Sequence, residues 1–114
     1  MLRDPPPPDD TLGRKRLQEV RSAVGRPLGW TPGRARLHDH RQHEGELVVC
    51  DRGWYFTGDG QAVAVSWEAT EGARPVGRIR ARVQIVWQGG ELVVWFPDRD
   101  GANDALAAVN ERVG

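Results

Sequence analysis

The stretch Arg78-Ile79-Arg80-Ala81-Arg82-Val83-Gln84-Ile85-Val86-Trp87 decides the fold. Ile79, Ala81, Val83, Ile85 and Trp87 alternate with Arg78, Arg80, Arg82 and Gln84, a period of two that puts one face in a core and the other in water. Gly89-Gly90 follows as a two-residue hairpin signal, and Glu91 to Phe96 reads as the returning strand. The spacing therefore predicts an antiparallel sheet.

Working back toward the N-terminus, the same period recurs. Ala62 to Trp67 places Val63, Val65 and Trp67 on one side, and Gly58-Asp59-Gly60 precedes it as a turn. Glu46 to Cys50 and Trp54 to Thr57 flank Asp51-Arg52-Gly53, a three-residue hairpin loop. Gly33 and Gly45 bracket a further strand from Arg34 to Gln42, and Glu68 to Gly77 reads as a loop. Leu17, Val20 and Val24 fall at helical spacing, which predicts a helix over 10–24 ended by Gly25-Arg26-Pro27. Four prolines at positions 5–8 make residues 1–9 a disordered or polyproline-II tail.

At the other end, Pro97 closes the last strand and Asp98 or Asp100 caps a final helix of about 98–113. Its stripe is Ala102, Ala105, Leu106, Val109 and Val113. The expected fold is α+β, mainly β. It is a strongly bent antiparallel sheet or partial barrel of about six to seven strands, capped by a C-terminal helix and carrying an extra N-terminal helix. The organisation is a tail (1–9), a helix (10–25) and a barrel with its closing helix (26–114).

Gly45-Glu46-Leu47-Val48-Val49-Cys50-Asp51-Arg52-Gly53-Trp54-Tyr55-Phe56-Thr57 resembles the strand–turn–strand "G-x-L-x-L-T-D-R-R-L-x-F" of bacterial PH-like and GRAM-like domains, members of the pleckstrin-homology superfold. Val63-Ala64-Val65-Ser66-Trp67 is similar to the next strand of that family. Trp95-Phe96-Pro97-Asp98 is similar to its closing strand and the start of its capping helix. The resemblance spans about 34–113; Cys50 stands where Thr is usual and Gly53 where Arg is common. It implies a non-catalytic protein-interaction or adaptor module. An SH3-like or OB-like barrel is the alternative fold, disfavoured by the long C-terminal helix.

The chain has 114 residues, 16 basic and 16 acidic, so no net field draws it to nucleic acid or membrane. Fifteen of the basic residues are Arg against Lys15 alone, a bias expected of a GC-rich bacterial genome. The lone Cys50 excludes an intramolecular disulfide, and no apolar run reaches the roughly 20 residues of a membrane span. No secretory signal is visible, and a cytoplasmic location is expected.

Five features draw attention. His38 and His40 would share a strand face, but without Cys partners they read as a solvated strand end, so no metal or other cofactor is expected. Ser22, Ser66 and Cys50 lack the motif of a nucleophile, so no catalytic residue is assigned. Arg78, Arg80 and Arg82, with Arg74, form a row that could receive phosphates, the basis of an alternative reading as an anionic-ligand domain for lipid headgroups or nucleic acid. Trp95 falls on the face opposite Leu92, Val94 and Phe96, which makes it a candidate anchor for a protein partner. The stripe Leu17, Val20 and Val24 must be buried either on its own barrel, with Trp95 as the expected neighbour, or in an interface such as a homodimer.

Overall fold

The computed structural model describes residues 2–4, 12–77 and 81–113. The chain forms α1 (Arg14–Val24), β1 (Pro27–Arg36), β2 (Gln42–Cys50), β3 (Gly53–Gly58), β4 (Gln61–Ser66), β5 (Thr70–Pro75), β6 (Arg82–Trp87), β7 (Gly90–Trp95) and α2 (Arg99–Val113). The seven strands make one antiparallel sheet in the order β4-β3-β2-β1-β7-β6-β5, not closed into a barrel. Its bend is visible in the core. Trp54 of β3 and Trp87 of β6 stand four places apart in that order, about 19 Å in a flat sheet. Their ring centroids are nevertheless only 5.5 Å apart, in an edge-to-face contact.

The concave face holds the main core, with Leu47, Trp54, Phe56, Val83, Ile85 and Val94 fully or almost fully buried. Val83 and Ile85 carry the alternation that the sequence shows, while Trp87 is half-buried. α2 closes this side with Ala102, Ala105 and Val109; Leu106 and Val113 pack at its margin. Asp98 is the cap, its Oδ1 accepting from the Gly101 amide at 2.8 Å. Asn110 ties the helix to the edge strand β5, donating to Ala73 O and accepting from Ala73 N, both at 3.0 Å. Two hydrogen-bonding groups of a sheet edge are thereby satisfied by a side chain.

Several boundaries differ from the sequence reading, each for a physical reason. The strand expected over 34–42 is instead two strands joined by a turn at 37–41. In that turn the His40 amide donates to Leu37 O, and His40 adopts φ 62°. Gly33 and Gly45 are not strand boundaries; they pair with each other mid-strand. Each is a point of close crossing. A Cβ on Gly45 would stand 1.7 Å from Thr57 O, and one on Gly33 would stand 2.8 Å from Val94 Cγ1. The expected loop 68–77 contains β5, which carries little apolar signal because it is an edge strand, irregular at Gly72 and ended by Pro75. Residues 10 and 11 of the expected first helix, residues 78–80 of the expected long strand, and residues 1 and 5–9 of the expected tail lie outside the described residues. Residues 2–4 of that tail lie along β1, where Arg3 bridges Trp30.

α1 packs on the convex face. Val20, Val24 and Leu12 are buried with Trp30, Val48 and Tyr55, and Leu17 packs half-buried at the edge of this second cluster. The expected neighbour Trp95 takes no part in it. α1 stands instead over the other end of the face, because the chain enters β1 directly after Gly25, at the end where β1 begins.

Candidate functional site

On the convex face, β1 carries Trp30, Pro32 and Arg34 at alternate positions, and Arg34 is the Cα partner of Trp95 on β7. Trp95 is in turn the partner of Arg82 on β6. Paired residues of an antiparallel sheet point to the same side, so Arg34, Trp95 and Arg82 form one row across three strands. α1 has eleven residues, about 16 Å of helix. It packs over β3 and β4, its apolar stripe joining the cluster that includes Trp30, and leaves this row bare.

A groove of about 580 Å³ runs along the bare half, lined by Pro32, Arg34, Glu44, Glu46, Trp95 and Pro97 among others. A second hollow of similar volume adjoins it, sharing Arg34 and Trp95 and adding Arg99. Trp95 is half-buried at the junction, and Arg34 is exposed. The groove lies where β1 and β7 pair through only two positions, Arg34 with Trp95 and Ala35 with Val94, and then diverge.

The expected anion-binding row looks different in three dimensions. The guanidinium of Arg82 lies over the Trp95 ring at 5.9 Å, and its Nε is buried without a hydrogen-bond partner. Arg82 is thus half-buried, not the freely solvated cation that the alternation suggests. Arg74 donates from Nε to Gln84 Oε1 at 2.7 Å, and Gln84 in turn donates to Glu91. These contacts join Arg74 to a carboxylate-bearing network that reduces its attraction for anions. Arg78 and Arg80 lie outside the described residues. Leu17, Val20 and Val24, the candidate interface, lie against the chain's own sheet.

The histidines separate. His38 and His40 occupy the exposed turn after β1, not a shared strand face, whereas His43 begins a clasp between two turns. Its Nδ1 is 2.7 Å from Asp59 in the β3–β4 turn and its Nε2 is 2.8 Å from Asp39 in the β1–β2 turn. The Asp59 and Asp39 carboxylates raise the His43 pKa above its usual value. The Arg41 backbone amide at 3.0 Å and the Gln61 side chain hold Asp39 down at about 2. Among the described residues no cluster of His, Cys, Asp and Glu has the form of a metal site. Cys50 is buried, and its thiol is pushed up to about 12, chiefly by loss of water, so it is a poor nucleophile.

The residues that sequence reasoning missed are Arg34 and Pro32. Their relation to Trp95 is a long-range register, and nothing local in the sequence marks it. Trp95 itself was legible, as a large aromatic of the wrong parity for the core.

No protein-family model matches the chain, and no curated protein matches it. Solved structures do share the fold. The C-terminal domain of an unknown protein from Leishmania infantum superposes with a TM-score of 0.63 at 13% identity, over 84% of this chain and 92% of that one. Inner Membrane Complex sub-compartment protein 3 from Toxoplasma gondii gives 0.61 at 9% identity, over 99% and 96%. At such identities the likeness is one of fold. Among the described residues no helix is long and apolar enough to cross a membrane.

Proposed function

We propose that this chain is a non-catalytic protein-interaction module of the PH-like type, docking an extended segment of a partner protein in the Trp95 groove. The observation that carries this reading is the half-exposed Trp95, set between Arg34 and Arg82 on a sheet face that the helix leaves uncovered. A tryptophan flanked by arginine combines a large apolar contact with charge recognition, the combination that dominates binding energy in protein interfaces. Arg82 stiffens the ring from one side. On the other, Arg34 offers a guanidinium that donates to a carboxylate in bidentate geometry. The segment that fits carries an aromatic or proline side chain to stack on Trp95 and an acidic residue for Arg34, with Arg99 nearby. Glu44, the cross-strand partner of Arg34, sets a carboxylate on the β2 side of the groove, which favours a basic residue beside the acidic one. The seven-stranded bent sheet with its C-terminal helix supports the PH-like assignment at the level of architecture.

Selection from a displayed random-peptide library on the immobilised full chain tests the reading. Enriched peptides should combine an aromatic residue or proline with an acidic residue, and should lose binding to folded Trp95→Ala and Arg34→Glu variants. Enriched peptides that bind both variants as tightly as the wild type would refute it.

A further inference from the structure

β1 has a second feature that the groove does not use. β7 pairs with it only at Arg34 and Ala35, so the backbone of its first half has no strand from the sheet along that edge. Residues 2–4 occupy part of the gap. The Arg3 amide donates to Trp30 O at 2.8 Å and the Trp30 amide donates to Arg3 O at 3.0 Å, the reciprocal pair of an antiparallel bridge. The side chains add selectivity. The Arg3 guanidinium lies 4.7 Å above the Trp30 ring, and the Trp30 indole donates to Asp4 O at 3.2 Å. Leu2 packs where Gly29 has no side chain; a Cβ on Gly29 would come within 2.9 Å of Leu2 Cβ.

These are the contacts of a bound peptide: main-chain pairing for affinity and side-chain sites for selectivity. We infer that the β1 edge at Gly29–Trp30 is a strand-addition site for an extended segment carrying an aliphatic residue followed by arginine, and that residues 2–4 are its intramolecular occupant. The site is separate from the Trp95 groove and stands or falls independently of it. The chemistry is specified twice over. The second position of the segment needs a cation, since the electron-rich indole face attracts a guanidinium. The first takes an aliphatic group, since the missing side chain of Gly29 leaves the room that Leu2 fills. A partner segment displaces residues 2–4 by making the same bridge. Because those residues are tethered, the apparent affinity of a free segment is reduced by the fraction of molecules whose edge is open. The edge is thereby self-occupied until a segment of sufficient length or local concentration arrives.

The probe is an acetylated synthetic peptide with the sequence of residues 1–8, titrated into isotopically labelled full-length protein. The variant Leu2→Ala/Arg3→Ala weakens the tethered occupant without touching β1. Binding to this variant should be about tenfold or more tighter than to the wild type. Shifts should centre on the Gly29 and Trp30 amides and the Trp30 indole N–H. A peptide with its leucine and arginine replaced by alanine should bind at least about tenfold more weakly. Equal affinity for wild type and variant, equal affinity of the two peptides, or shifts centred on Trp95 would each overturn the inference. A Trp95→Ala background separates the two sites, because it should leave this titration unchanged.

Discussion

Trp30 and Trp95 stand on the same convex face, on neighbouring strands, each with an arginine over its ring, yet they have opposite fates. Trp30 is 8% exposed beneath α1 and residues 2–4, packed against Val48 and Tyr55. Trp95 is half-buried beside an open groove. The difference teaches that a short helix divides one continuous face into a structural half and an available half. Parity alone cannot make that distinction, because both tryptophans face away from the core under α2.

The largest effect expected from this contrast is at the covered half. Trp30→Ala should destabilise the fold by about 3–5 kcal/mol, since it empties a packed site. Val20→Glu, which puts a charge beneath α1, should cost about 3 kcal/mol or more. It should do so without changing the molecular mass seen by light scattering. A dimer that dissociates into folded, stable Val20→Glu monomers would instead make α1 an interface between copies. At the available half, Trp95→Ala should cost about 1 kcal/mol or less by denaturant titration, because much of what it removes is already in water. Equal losses at Trp30 and Trp95 would break the comparison.

The two halves also differ in how their ends are held, which gives the smallest effect. The covered end is held by burial, whereas the bare end finishes at the turns joined by the Asp39–His43–Asp59 clasp. The folded His43 pKa lies above 6.5, so its contribution is complete below the unfolded value and is lost as pH rises through the folded value. Asp39 has the opposite sign: its contribution is present above 3.8 and is lost as pH falls toward about 2. The melting temperature should therefore decline as pH rises from about 6 to about 9, and Asp59→Asn should flatten that decline. The same slope in both proteins would remove His43 from the account of this end.

Much of the sheet was legible because its signals are local. Val83, Ile85 and the glycines at 89 and 90 announce β6 and β7, although the turn is Gln88-Gly89 and Gly90 already pairs with Trp87; the stripe ending in Val109 announces α2. Gly33 and Gly45 misled, because a glycine that permits close strand crossing looks the same in sequence as one that ends a strand. β5 was missed because an edge strand completed by Asn110 needs few apolar residues of its own. The candidate site was half legible. Trp95 stood out by its parity, but its neighbours Arg34 and Arg82 come from strands 61 and 13 residues away in the chain, and only register brings them together. The place of α1 was illegible for the same reason. Leu17, Val20 and Val24 show that a helix needs a surface, and not which one.

The most direct test of the Trp95 groove as a docking surface is site-specific photocrosslinking of the full chain in its native host. A photoreactive phenylalanine analogue replaces Val93, which neighbours Trp95 on the bare face, or Gln18, which is exposed on α1. The expected result is a discrete protein adduct from position 93 that disappears when Trp95→Ala is added, with none from position 18. An adduct from position 18 alone, or one from position 93 that survives Trp95→Ala, would contradict the groove as the docking surface.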